Sequence, residues 1–120
     1  MLYTMHFLSV LGLVSAAAAA SHDIQVGMGG LKFTPSSTTA AVGDTVVFHY
    51  YPGNHDVVQG AFASPCAPLS GGFYSGFIDT TGGVASNVFT VTINDTNPIW
   101  IYCSQVTHCQ QGMAAVINPP

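Results

Sequence analysis

The sequence predicts a single all-β domain, a sandwich or barrel of short strands. Apolar and polar residues alternate in several runs, most clearly in "DTVVFHYY" (44–51), where Val46, Phe48 and Tyr50 share one face. Gly, Pro, Asn and Asp separate these runs at intervals of about 8–12 residues, which is typical of such folds. Helix-forming charged residues are scarce, with five aspartates, no glutamate and one lysine among 120 residues. The length fits one domain.

Six runs carry the strand pattern, each with an inward apolar phase. The predicted strands are 22–26, 31–35, 44–51, 87–93, 98–103 and 113–117. The stretch 60–77 differs, because it is rich in Gly, Pro, Ser and Ala and has no clear period. It predicts a long loop, with a short helical turn near 61–63 as an option. Cys66 lies within it, so a disulfide tether is expected.

Residues 1–20 predict a secretory signal peptide. The apolar stretch 7–14 is too short to span a membrane, and it runs into five alanines that offer Ala-x-Ala cleavage sites. A buried strand or helix would leave the alanines without a purpose. Removal leaves a domain of residues 21–120 in an oxidising compartment, where disulfides persist. The ending "AAVINPP" has no hydrophobic tail after a polar spacer, so no lipid anchor is expected.

The charge balance limits the partners. Lys32 is the single cation against five aspartates, which excludes a basic nucleic-acid-binding surface. Binding to anionic lipid is disfavoured for the same reason. We therefore expect a monomer that binds neither nucleic acid nor a membrane.

The cysteine count suggests a metal ligand. Three cysteines in an exported chain leave one thiol unpaired or form an intermolecular bridge, and an idle exposed thiol would oxidise. Cys103 ends an inward-phased run, and His108 and Met113 follow it at Cys-x4-His-x4-Met spacing. A thiolate, two imidazoles and a weakly bound axial thioether form a type 1 copper site. The spacing therefore predicts three of the four ligands of such a site.

The second imidazole must come from another histidine. His55 follows a Pro-Gly turn and opens a short apolar run, which favours it over a histidine that merely caps a strand. His6 would leave with the signal peptide, and His49 lies in the outward phase of its strand. His22 has an alternative role, because cleavage after Ala19 would leave Ala-Ser-His, a Cu(II) chelator, at the amino terminus.

The disulfide follows from the choice of ligand. If Cys103 binds the metal, Cys109 can pair with Cys66, closing a loop of about 40 residues worth about 4 kcal/mol on the chain-entropy model. A competing Cys103–Cys109 bridge would consume the thiolate, and the spacing alone leaves both open.

The motifs "VGDTVVFHYYPGNHDVVQ" and "PIWIYCSQVTHCQQGMAAVINP" resemble the cupredoxins of the phytocyanin type. They resemble more closely the small secreted cupredoxin-like proteins of fungi, often described as extracellular serine-rich proteins. The resemblance covers about 24–119, without a serine-rich tail or anchor signal. It implies a Greek-key β-sandwich that binds one type 1 copper ion. The ligands it implies are His55, Cys103, His108 and Met113, with a Cys66–Cys109 disulfide.

The expected function is one-electron transfer by a secreted blue copper protein, extracellular or associated with the cell wall. It is not expected to be an enzyme, since no nucleophile–base set and no His-x-His pair of a multicopper oxidase is present. The alternatives are an extracellular copper buffer or delivery protein, and a cell-surface structural module with a vestigial copper site. No motif identifies a redox partner. Asn94-Asp95-Thr96 is a predicted glycosylation acceptor in a turn between two strands.

Overall fold

The computed structural model describes residues 3–10, 12 and 18–120. The predicted signal peptide lies partly outside these residues and stays a prediction. Its described part forms no strand, and Tyr3, Phe7 and Leu8 are almost fully exposed. Within the described chain, no helix has the length and apolar character needed to cross a membrane.

The described residues form eleven short strands that follow one another in sequence. They are β1 (Ser21–Val26), β2 (Phe33–Thr34), β3 (Ser37–Thr38), β4 (Thr45–Tyr50), β5 (Gly53–His55), β6 (Val58–Ala61), β7 (Ser64–Pro68), β8 (Ile78–Thr80), β9 (Val88–Thr92), β10 (Ile99–Tyr102) and β11 (Ala114–Ile117). Six of them, β1, β2, β4, β9, β10 and β11, coincide with the predicted runs to within two residues at either end. The all-β prediction is confirmed.

The strands form two main sheets and a small ribbon. One sheet has the order β2-β1-β4-β9, the other β3-β11-β10-β6-β7, and β5 pairs with β8 alone. β1 runs parallel to β4, and β3 runs parallel to β11, whereas the remaining pairs are antiparallel.

Alternating side chains from both sheets build one core. In β4, Val46, Phe48 and Tyr50 are fully buried, whereas Val47 and His49 are partly exposed, as the period of two requires. The same cluster contains Ile101 and Ile117 of the opposite sheet, along with apolar residues of β1. The two sheets therefore pack face to face as a sandwich.

The middle stretch contains more order than the sequence predicts. β6 and β7 form a hairpin with an irregular register at Gly60 and Ala61, and the predicted helical turn near 61–63 is wrong. β7 is an edge strand, the position at which a sheet tolerates proline, so Pro65 and Pro68 do not prevent it from forming. A Cys66–Cys109 disulfide ties this hairpin to the chain after β10, which confirms the predicted tether.

Candidate metal centre

Three strand ends bring the predicted ligands together. His55 is the last residue of β5, Cys103 comes directly after β10, and Met113 comes directly before β11. The turn 104–112 joins β10 to β11 and carries His108. Because β10 and β11 are neighbouring antiparallel strands, the residues that flank this turn lie side by side.

The donor atoms of two histidines and one cysteine converge on a single point. Cys103 Sγ lies 3.5 Å from His108 Nδ1 and 3.9 Å from His55 Nδ1. All three donor atoms lie within 4.8 Å of one another. With metal–sulfur and metal–nitrogen bonds of about 2.3 and 2.0 Å, as in zinc sites, a trigonal plane gives sulfur–nitrogen separations of about 3.7 Å. The observed separations fit a bound metal ion.

Met113 is fixed by its backbone to two of these residues. Its N–H donates to the carbonyl oxygen of His108 (3.0 Å), and its own carbonyl accepts from the N–H of Cys103 (3.1 Å). Its side chain is fully buried. The residue therefore supplies a thioether beside a thiolate and two imidazoles, the donor set of type 1 copper.

Burial influences the protonation of the Cys103 and His55 side chains before a metal binds. Cys103 is fully buried and free, and burial raises the pKa of its thiol, so the sulfur keeps its proton until a metal displaces it. His55 is 3 % exposed, and burial, followed by the nearby His108 ring, lowers its pKa. The His55 ring is therefore neutral and can offer a lone pair.

Asp56 links the two loops that carry ligands, and the sequence interpretation missed it. Its fully buried carboxylate accepts a hydrogen bond from the Ser104 N–H (2.6 Å) and a second one from the Ser104 hydroxyl. Asp56 follows His55 and Ser104 follows Cys103, so these bonds fix the two ligands relative to each other. An acidic residue directly after a candidate histidine ligand was the available signal.

Two glycines border the His55 ring. A Cβ atom at Gly27 would lie 2.4 Å from His55 Nε2, and one at Gly53 would lie 3.0 Å from it. Both residues have positive φ, at 77° and 108°. Their lack of a side chain leaves room for the imidazole, a role that their place in predicted turns did not indicate.

The disulfide lies beside the ligand loop. Cys109 follows His108 and bonds to Cys66, so the alternative Cys103–Cys109 bridge is wrong. The carbonyl oxygen of Cys109 also accepts from the Gly112 N–H (2.9 Å). The loop is thus held both covalently and by its own hydrogen bonds.

The other histidines of the predicted domain pair with carboxylates. His49 Nε2 lies 2.7 Å from Asp23 Oδ1, and His22 Nε2 lies 2.8 Å from Asp44 Oδ2. Neither histidine belongs to the group of donors around Cys103.

His108 differs from the buried ligands because it reaches the surface. It is half-buried and borders an open cavity of about 290 Å³ that Leu31, Pro52 and Gln105 also line. None of the residues that line this cavity carries a formal charge when histidine is neutral.

A β-sandwich of this kind is a cupredoxin fold, and its donor set matches that of a type 1 copper site. Auracyanin A, a "blue" copper protein of Chloroflexus aurantiacus, superposes with a TM-score of 0.59 at 14% identity, over 83% of this chain and 98% of its own. A purple cupredoxin of Nitrosopumilus maritimus gives 0.62 at 16% identity, over 80% and 96%. Plastocyanin of Dryopteris crassirhizoma gives 0.56 at 18% identity, over 79% and 96%.

Two curated proteins of the fungus Arthroderma benhamiae are similar in sequence. An "Extracellular serine-rich protein" is 47% identical over 121 residues, covering 100% of this chain and 47% of its own length. A "Probable GPI-anchored cupredoxin-1" is 41% identical over 117 residues, covering 97% of this chain and 60% of its own. The chain thus spans about half the length of the curated relatives it matches. No protein-family model matches it.

Proposed function

We propose that this protein is an exported blue copper protein that transfers one electron at a time. The observation that carries the proposal is the convergence of His55, Cys103 and His108 donor atoms within 4.8 Å in a largely buried site. These three residues would hold copper together with Met113, whose thioether would be the weakest of the four ligands. Bound copper supplies a centre that alternates between Cu(I) and Cu(II).

The rigidity of the site supports electron transfer. The Cys103–Met113 and His108–Met113 backbone bonds close the loop, and the carboxylate of Asp56 fixes the residue after Cys103. Ligands held this firmly rearrange little when the charge of the metal changes, because their positions are set by the sandwich.

The exposed edge of His108 is the proposed point of electron entry and exit. The other three ligands are buried, so a partner could approach the metal most closely through the His108 ring. The cavity beside this ring is uncharged, and Val106 nearby is 75 % exposed. An uncharged rim with an exposed valine beside it favours brief contact with a redox partner, whose identity the chain does not encode.

The extracellular location is proposed from the leader and the relatives. Residues 1–20 have the features of a signal peptide, and one relative is named as extracellular and another as GPI-anchored. Under this proposal, the leader is removed and the β-sandwich forms the exported domain. Asn94 is exposed just after β9, where a glycan could project into solvent.

Copper loading followed by spectroscopy and voltammetry tests the function. We expect one copper per chain, an intense thiolate-to-copper band in the visible range and a reversible one-electron wave. Cys103→Ser should remove the band, whereas His49→Gln, which alters an imidazole outside the site, should retain it. A pale or colourless protein that binds copper tightly without a reversible wave would overturn electron transfer and favour copper buffering or delivery. Failure to bind copper would favour the vestigial module.

A further inference from the structure

The carboxylate of Asp44 collects three donors at the start of β1. Oδ1 accepts from the N–H of Ala20 (2.9 Å), and Oδ2 accepts from the N–H of Ala41 (2.9 Å) and from His22 Nε2 (2.8 Å). Asp44 is only 7 % exposed, although it lies just before β4. A nearly enclosed carboxylate with this many donors is built to remain charged.

Ala20 is held on both sides of its backbone. Its N–H bonds to Asp44, and its carbonyl oxygen accepts from the N–H of Thr45 (3.0 Å). Ala18 and Ala19 are exposed and belong to no strand. Among the three described residues directly before β1, Ala20 is therefore the one whose backbone is bonded to the sandwich.

We propose that the Ala19–Ala20 peptide bond is the processing site, and that the α-ammonium group released on Ala20 forms an ion pair with Asp44. Water hydrolyses the bond with the help of an export peptidase. The carbon–nitrogen bond breaks, Ala19 leaves with a carboxylate, and the nitrogen of Ala20 takes up a proton. The proposal rests on the export part of the proposed function and is independent of copper.

The geometry favours this bond over its neighbours. Ala17 and Ala19 satisfy the Ala-x-Ala pattern for cleavage after Ala19. The nitrogen of Ala20 already lies at hydrogen-bonding distance from Asp44, so cleavage converts a neutral donor into a charged one in place. Cleavage after Ala20 would instead discard both of its backbone bonds.

The state of Asp44 supports the pairing. The hydrogen bond from His22 contributes most, followed by the bonds from Ala20 and Ala41, to lowering the pKa of Asp44 from 3.8 to about 2. The carboxylate is therefore ionised at neutral pH, when an α-amino group with an ordinary pKa of about 8 is mostly protonated.

The same contacts argue against the chelating role of an Ala-Ser-His terminus. A Cu(II) chelate would require the amide nitrogens of Ser21 and His22 and the His22 ring to surround one ion. Instead, Ser21 and His22 pair with Thr45 and Val46 in the β1–β4 ladder, and the His22 ring is bonded to Asp44. Chelation would have to dismantle the start of β1.

A double-mutant cycle on metal-free protein tests the ion pair. Chains that begin at Ala20 or at Ala19 are prepared, each with Asp44 or with Asp44→Asn, and their melting temperatures are measured. We expect the Ala20 chain to melt a few degrees higher than the Ala19 chain, and the difference to vanish with Asp44→Asn. Equal melting of the two parent chains, or a difference that persists without the carboxylate, would overturn the ion pair.

A chemically modified chain tests the ion pair even if the Asp44→Asn variant does not fold. Acetylating the amino terminus of the Ala20 chain removes the charge and keeps an N–H, so its melting temperature should fall to that of the Ala19 chain. An unchanged melting temperature would refute the ion pair.

Amino-terminal sequencing of protein secreted by a fungal host tests the cleavage site, and it should give Ala20 as the first residue. Ser21 first would overturn the cleavage site. A lack of secretion would contradict export, while the melting cycle would still decide the ion pair.

Discussion

At the scale of single residues, the absence of side chains at Gly27 and Gly53 positions a metal ligand, because the His55 ring occupies the space where their side chains would be. Gly27→Ala places a methyl group 2.4 Å from the original position of His55 Nε2 and should displace a ring that is buried and cannot move away easily. We expect copper affinity to fall about tenfold or more, as is typical for groups that orient a metal ligand. Competition with a copper chelator measures it.

Gly29→Ala is a matched control for this prediction. Gly29 also has a positive φ (71°), but a Cβ atom there would meet no atom closer than 4.0 Å. The control carries the same kind of backbone strain without the contact to His55. Equal losses of affinity in the two variants would mean that strain in the turn, and not the imidazole, is responsible.

Met113 gives the second prediction at this scale. A thioether is a soft, weak ligand that stabilises Cu(II) less than an amide oxygen does, so Met113→Gln should keep the blue band and lower the reduction potential. Met113→Leu should raise the potential, because leucine offers no axial donor and Cu(II) then loses even the weak stabilisation that the thioether gives. Full burial of Met113 allows the rival view that it only fills the core. Unmoved potentials together with lowered melting temperatures would support that view.

At the scale of elements, the β6–β7 hairpin depends on its link to the ligand loop. Replacing both Cys66 and Cys109 with alanine should lower the free energy of unfolding by about 4 kcal/mol, because it frees a loop of about 40 residues in the unfolded chain. The blue band should survive, since Cys103 is untouched. Chemical denaturation and the visible spectrum measure the two effects, and loss of the band in this variant alone would place the thiolate at Cys109.

The junction of β1 with β4 should weaken in acid. The folded pKa of Asp44 (about 2) lies below its ordinary value of 3.8, so the group contributes stability above pH 3.8 that is lost as the pH falls towards 2. Melting of the metal-free protein between pH 5 and about 2 measures this loss. The Asp44→Asn variant should be less stable than the parent protein at pH 5, and its melting temperature should fall less on acidification. Parallel pH profiles for the two proteins would contradict the assignment.

Strands with clear alternating patterns were predictable, and three of the shortest strands were not. Alternate residues are buried in β4 and partly buried in β9, so the period of both strands is visible in the sequence. β3, β5 and β8 have two or three residues each, too few to show a period, and their pairing is decided by the rest of the fold. The same holds for the parallel pairing of β1 with β4, because strand partners follow from the packing of the whole sandwich.

The metal site was predictable to the extent that its chemistry is local. Cys103 and Met113 flank the turn that carries His108, so their spacing in the sequence indicated all three. His55 could be predicted only because a type 1 site requires a second imidazole. The role of Asp56 became visible only in the structure, because its partner Ser104 lies 48 residues away in sequence.

At the scale of the whole molecule, the charge should govern encounters with redox partners. The formal net charge is −4, and every Asp and Lys lies within residues 21–120, so removal of the predicted leader leaves this value unchanged. The cavity beside His108 has no charged lining, so the molecule attracts or repels a reagent mainly through its overall field. A cationic one-electron reagent should therefore react faster at low salt and slow several-fold as salt screens the field. An anionic reagent should show the opposite trend, and a neutral reagent is the control. The rates are measured by stopped flow. Rates that do not change with reagent charge or with ionic strength would show that electrons do not enter through a surface exposed to this field.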